Sequence, residues 1–235
     1  MVKYQPSTKQ ELEILLQHNS VNLGNIDVSL MIKYKPTTKE DLVSLIKDTT
    51  ICLGSIDTSL ITDMSHLFSF STRKDFLGIE FWNISNVQDM SEMFFGASFF
   101  NADISNWDVS NVTNMSFMFA EAVAFNQPIG TWNVSNIITM EGMFCGASNF
   151  NQPIGNWDVS NVENMEGMFN GAVDFNQDIS GWDVSNVKTM EVMFRSTKSF
   201  NQNIDNWNVS KSINRQRMFQ FSLLEKHLPL WAKRA

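Results

Sequence analysis

The 235-residue chain is poor in cysteine and histidine, with only Cys52, Cys145, His18, His66 and His227. Two thiols support no disulfide framework, and three scattered imidazoles give no spacing for a structural zinc site, so no metal is expected. Positive charge is missing from the middle of the chain. Residues 75–183 hold 14 Asp or Glu and no Lys, Arg or His. With a formal charge of −8 and a pI near 4.8, nucleic acid is excluded as the main partner. Long apolar runs are missing too. The uncharged stretch 122–140 contains Asn, Gln, Pro and Gly and would not span a bilayer, so no transmembrane segment is expected. Residues 1–16 carry charge throughout and predict no secretory signal. There is no G-x-S-x-G nucleophile elbow and no Gly-Gly-x-Gly-x-Asp calcium repeat.

What the chain does have is 19 Phe, 14 Met and 7 Trp, set at fixed intervals. Trp82, Trp107, Trp132, Trp157, Trp182 and Trp207 follow one another in five steps of 25 residues. The unit reads W-[DN]-[VI]-S-N-[VI]-x-x-M-x-x-M-F-x-x-A-x-x-F-N-Q-x-I. Twelve of the 14 methionines fall in its two Met slots, among them Met115 and Met118 ahead of Phe119. A period of this length is the mark of a repeat array. The array decays at its ends, with Ile56 in place of Trp upstream, Lys211, Ser212 and Arg215 breaking the pattern downstream, and Trp231 closing it.

A second repeat lies upstream. Residues 3–32 and 33–62 agree at 13 of 30 positions without a gap. Each half predicts a helix, opened by Thr8 or Thr38 three residues before Glu11 or Asp41, in the manner of a capping box. The expected organisation is therefore a duplicated N-terminal cap over 1–62, an array over 56–219 with core copies 82–206, and a C-terminal cap or basic tail over 220–235.

Two periods alternate within one repeat. Val112, Met115, Met118, Phe119 and Ala122 have helical spacing, and Ser110 just before them reads as an N-cap. Trp107 and Val109 alternate with Asp108 and Ser110 as in a half-buried strand. The expected fold class is an α/β repeat solenoid, one short strand and one short helix per coil. Like residues should stack about 4.8 Å apart, the strand spacing. The thioether columns read as core packing, because Met fills gaps and shares its slots with Phe and Trp; a copper-binding methionine ladder is the sharper alternative. Asn101, Asn126, Asn151, Asn176 and Asn201 read as a buried ladder satisfying backbone groups at the coil turn, and Ser85, Ser110, Ser135, Ser160, Ser185 and Ser210 as a second one. Asn83, Asp108, Asn133, Asp158, Asp183 and Asn208, each beside a buried Trp, should face solvent as a contact surface or a solvated edge.

The unit W-D-V-S-N-V-x-x-M-x-x-M-F-x-x-A-x-x-F-N-Q-x-I resembles the 25-residue repeat of the BspA-like bacterial surface proteins, also abundant in mycoplasmas and usually grouped with leucine-rich repeats. The preceding I-D-T-S-L-I-T-D-M-S-H-L-F segment resembles the unit that often leads such arrays. The resemblance implies a solenoid used for binding, typically in attachment at a cell surface, with no catalytic residues and no cofactor.

The residues agree with a binding role over an enzymatic one. Cys145 sits in a slot that Phe95, Ala120, Asn170 and Arg195 fill elsewhere, and the repeated carboxylates share one environment where acid–base catalysis needs two. The expected function is protein–protein interaction by a monomer, through its acidic Asp/Asn face, with a partner bearing a cationic surface. The alternatives are a structural spacer and a glycan-processing enzyme. Glu92, Glu121, Glu141, Glu166 and Glu191, on the expected helix face, are the other candidate surface. Residues 211–235 hold six basic residues against Glu225 and should pair with the acidic body or cap the last coil through Leu223, Leu224, Leu228 and Trp231.

Overall fold

The computed structural model of the protein describes residues 4–17, 26–211 and 213–234; His18 and Ser212 lie outside them. From Asp63 onward one residue per unit forms a parallel bridge to its counterpart in the next: Asp63 to Asp89, then Asn114, Thr139, Asn164, Thr189 and Asn214. Each unit is one coil laid on the coil before it.

Among the described residues no coil contains the expected helix. Met90, Glu92, Phe94 and Gly96 send their N–H groups to the next coil, onto the carbonyls of Asn114, Ser116, Met118 and Ala120 at 2.7–3.0 Å. Met93, Phe95 and Ala97 instead close tight turns on Met90, Glu92 and Phe94. Alternate N–H groups therefore point along the stack and back along the chain, which no α-helix can do. The first and last of these three turns carry a positive φ at their third residue, Glu92 and Gly96, as a type II turn requires. Two such positions, four apart, recur in every coil: Glu92 and Gly96, Phe117 and Glu121, Gly142 and Gly146, Gly167 and Gly171, Val192 and Ser196. Nor do Trp107–Val109 and their counterparts form strands; the parallel bridge lies farther on, at Asn114.

The core runs through the stack as aromatic and thioether columns. Phe94, Phe119, Phe144, Phe169 and Phe194 are fully buried, with successive ring centroids 5.7–5.8 Å apart. This exceeds the strand spacing because near-parallel rings pack offset, as their quadrupoles favour. Within a coil each ring also stacks on the Phe six residues on, at 3.9 Å for Phe119–Phe125. The tryptophans add a bond that Phe cannot make. The indoles of Trp107, Trp132, Trp157, Trp182 and Trp207 donate to the carbonyls of Ile79, Ile104, Ile129, Ile154 and Ile179 at 3.1–3.2 Å. Trp231 continues this column, donating to Ile204 O at 2.8 Å and stacking on Trp207.

The N-terminal repeats form α1 (Lys9–Gln17) and α2 (Lys39–Lys47). Thr8 and Thr38 hydroxyls accept from Glu11 and Asp41 N–H. The return bond differs from a capping box, since Glu11 reaches the N–H and hydroxyl of Ser7. Both copies close with the same bridge, Tyr4 to Ile26 and Tyr34 to Ile56. They do different work. Leu42 and Ile46 of the second copy join the main core, whereas Leu12, Ile26 and Met31 of the first build a small core against Cys52, Leu77 and Phe81. Lys39 pairs with Asp63 of the first coil at 3.0 Å, and Lys9 with Asp75 of the loop that follows.

That loop is held from within. The buried Arg73 guanidinium donates to Ile46 O at 3.1 Å, an open carbonyl in the last turn of α2, and to Ile51 O at 2.8 Å in the turn that follows the helix. Glu80 accepts from Gly78 N at 2.9 Å, and burial, aided by Asp103 and Asp75, pushes its carboxyl up to about 7. The folded protein thus binds this proton more tightly than the unfolded chain. Stability should fall as pH rises from about 4.5 to 7. Glu80→Gln keeps an acceptor for Gly78 and should remove that slope, gaining on the order of 2 kcal/mol at pH 8 and little at pH 4. Urea unfolding at the two pH values tests this; equal effects at both would refute it.

Candidate interaction faces

Asn83, Asp108, Asn133, Asp158, Asp183 and Asn208 are all exposed, each beside a buried Trp. Their side chains are fixed by local turns. Asp108 Oδ1 accepts from Ser110 N at 3.1 Å and Ser110 Oγ at 2.6 Å, and Asn83 and Asn133 hold Ser85 and Ser135 in the same way. Asp158 and Asp183 accept from Ser160 and Ser185 N–H. The Ser160 and Ser185 hydroxyls hold these two carboxyls below the usual range, so both stay ionised in mild acid.

The serine column therefore caps no helix. Its carbonyls serve a ladder that sequence reasoning missed: Asn111, Asn136, Asn161 and Asn186 each donate Nδ2 to Ser85, Ser110, Ser135 and Ser160 O of the preceding coil, at 2.7 Å. The signal was the Asn that follows Ser in every copy of W-x-x-S-N. The result is a strip of exposed Asp, Asn and Ser side chains, bonded within each coil and between coils.

The other asparagine column is less buried than its ladder role suggested, with Asn101 and Asn201 exposed and Asn126, Asn151 and Asn176 half-buried. Its bonds run between coils. Asn101 Oδ1 accepts from Asn126 N at 2.9 Å and Gln127 Nε2 at 3.0 Å, and the pattern repeats through Asn126, Asn151 and Asn176 to Asn201. The polar ends of these side chains take the place of solvent at the coil turn.

The five glutamates do not share one face. Glu141, Glu166 and Glu191 stack in one column, where burial and then the charges of Glu141 and Glu191 push the Glu166 carboxyl up. Glu141 and Glu191 accept from Asn164 and Asn214. Glu92 and Glu121 occupy the two positive-φ slots of different coils. Burial pushes the Cys145 thiol up, away from thiolate character. Among the described residues no cluster of three His, Cys, Asp or Glu is placed to hold a metal ion.

The basic C-terminal segment caps the last coil. Leu224 is buried, Leu228 and Trp231 pack against the core, and Leu223 stays exposed. Among the described residues no ion pair joins this segment to the acidic body. No described helix is long and apolar enough to cross a membrane.

No curated protein and no solved structure matches the chain. A family model does match, twice in tandem, over residues 40–138 and 128–231. The two matches overlap and together take in all the coils and α2 from Glu40 on. The chain belongs to the family described as Mycoplasma protein of unknown function, DUF285.

Proposed function

We propose that the protein is a non-catalytic capped repeat solenoid that binds another protein through the Asp/Asn strip beside the tryptophan column, in attachment or surface recognition as in BspA-like proteins. The observation that carries this reading is the rigidity of the strip. Asp108, Asp158 and Asp183 present one functional group in register, two coils and then one coil apart, each already held by its serine. A pre-ordered array loses little entropy on binding and adds many weak contacts. Each exposed ion pair contributes only about 0.2–1 kcal/mol, so several must act together and salt should weaken binding steadily. The partner surface should be cationic, because residues 75–183 hold no positive charge.

The triple variant D108N/D158N/D183N tests this. Asn83 and Asn133 already make the same turn with Ser85 and Ser135, so the fold and its stability should be unchanged. Affinity for a partner captured by the wild-type protein should fall at least tenfold in 50 mM salt, with a flatter salt dependence. Unchanged affinity would remove the strip from the reading and leave the Glu141–Glu166–Glu191 column as the acidic face.

A further inference from the structure

The two ends of the turn ladder are finished differently. Toward the N-terminus, α2 lies against the first coil, with Lys39 on Asp63 and Ser65. Toward the C-terminus, the cap covers the Trp207 side through Trp231 and Leu224 but leaves the rungs of the last coil without a successor. In the preceding coils, N–H groups at alternate residues reach carbonyls of the next coil. Met115, Phe117, Phe119 and Glu121 donate to Thr139, Glu141, Met143 and Cys145 at 3.1, 2.6, 2.9 and 2.6 Å. The corresponding residues of the last coil are Arg215, Arg217, Phe219 and Phe221. Phe221 N is met by the Glu225 carboxylate at 2.9 Å. The N–H groups of Arg215, Arg217 and Phe219 have no acceptor among the described residues.

These donors border a groove of about 370 Å³ between the last coil and the cap. Met218, Phe219, Leu228 and Ala232 give it apolar walls; Arg215 and Arg217 bring two positive charges to it against the one of Glu225, whose carboxylate is held on Phe221 N–H. The Arg215 guanidinium lies over the Trp231 ring at 5.9 Å, and Arg217 is exposed. Unmet backbone donors, apolar walls and paired guanidinium groups call for one kind of occupant: a peptide offering carbonyls at alternate residues, an apolar side chain and a carboxylate. The coils themselves show the conformation it would adopt. Where glycines fill both positive-φ slots, as in Gly142 and Gly146, the segment 139–146 supplies four such carbonyls and carries Glu141.

We propose that the groove beside the last coil is a docking site for an acidic, glycine-punctuated peptide segment of a partner protein, which adds one more rung to the turn ladder. A second copy of this chain fits less well as donor, because its coil carbonyls from Asp89 onward are paired within the stack and the open side of its first coil carries Lys39, on Asp63 and Ser65, toward the like charges of Arg215 and Arg217. This site is distinct from the acidic strip and takes a partner of opposite charge.

The test uses the full chain and a synthetic peptide of residues 138–147 carrying Cys145→Ser, followed by calorimetry and amide NMR. Saturable binding is expected, with the largest shifts and new exchange protection at the amides of Arg215, Arg217 and Phe219. The R215Q/R217Q variant should bind at least tenfold more weakly, whereas D108N/D158N/D183N should bind as wild type. The mirror-image peptide has the same charge and composition but the wrong backbone hand, and it should not bind. Absence of binding, equal binding of the mirror-image peptide, or shifts confined to another face would each overturn the proposal.

Discussion

Gly78→Ala should unseat the N-terminal units while leaving the later coils folded. Gly78 has φ +91°, in the left-handed region that L side chains enter at a cost of about 1–3 kcal/mol. A Cβ there would also lie 2.1 Å from Gly54 N and 2.5 Å from Gly54 Cα. Both contacts are backbone, so no side chain can swing aside, and overpacking adds roughly 1–3 kcal/mol. The crossing of these two glycines sets how the loop carrying Arg73, Asp75 and Glu80 meets the cap. Moving it would strain the Arg73 bonds to Ile46 and Ile51 and the contact of Lys9 with Asp75. The expected loss is about 4 kcal/mol in the cap's local stability. In hydrogen exchange, α2 amides should lose protection while those of Phe144 and Phe169 keep theirs, since a coil depends on its immediate neighbours. Gly181→Ala is the control, because a Cβ there meets nothing within 4 Å. Protection of α2 unchanged by Gly78→Ala would show that the crossing does not hold the cap.

Much of this was legible in the sequence because a 25-residue period marks which side chains are alike, and like side chains stack. Trp132, Met140, Met143, Phe144 and Phe150 are in phase with their counterparts, and all are buried. The period does not say how the backbone joins them. Met115, Met118, Phe119 and Ala122 step by three and four, which a helix satisfies, but so does a run of turns whose alternate N–H groups go to the next coil. The deciding signal was glycine. Gly142, Gly146, Gly167 and Gly171 sit inside two of these runs, four apart, where a helix gains nothing from them and a positive φ is most easily taken by glycine. The exposed strip was legible for a different reason: a residue between two buried ones faces outward whether or not the segment is a strand. Its bonding was not, because the Asp108–Ser110 turn and the Asn136–Ser110 ladder link residues two apart and 26 apart, distances that no hydrophobic pattern encodes. The duplicated cap, opaque as a sequence, makes sense once α2 is seen in the main core and the first copy over Leu77 and Phe81.

The same columns that make the core readable make it vulnerable at its centre. Phe144 is fully buried, stacks on Phe150 at 3.9 Å within its coil, and lies 5.7 Å from Phe119 and 5.8 Å from Phe169 in the coils on either side. Phe144→Ala removes the ring from all three and from the Trp157 indole stacked 6.4 Å away. Its neighbours cannot collapse into the gap, because bonds such as Phe144 N to Met168 O at 2.9 Å and Phe119 N to Met143 O at 2.9 Å fix the distance between coils. The full transfer and cavity penalty for a buried Phe should therefore be felt, about 3–5 kcal/mol. In a stack where each unit is covered only by its neighbours, that loss falls on two interfaces at once. The array should then unfold in two steps in place of one, with a smaller denaturant slope for each. Phe99→Ala is the matched control, since that ring is 52% exposed and its loss should change stability by less than about 0.5 kcal/mol. Urea unfolding followed by tryptophan fluorescence reads both variants, because the Trp column reports from every coil after the first. A single transition with a loss under 1 kcal/mol for Phe144→Ala would mean that the hydrogen-bonded turn ladder, and not the aromatic column, carries cooperativity from coil to coil.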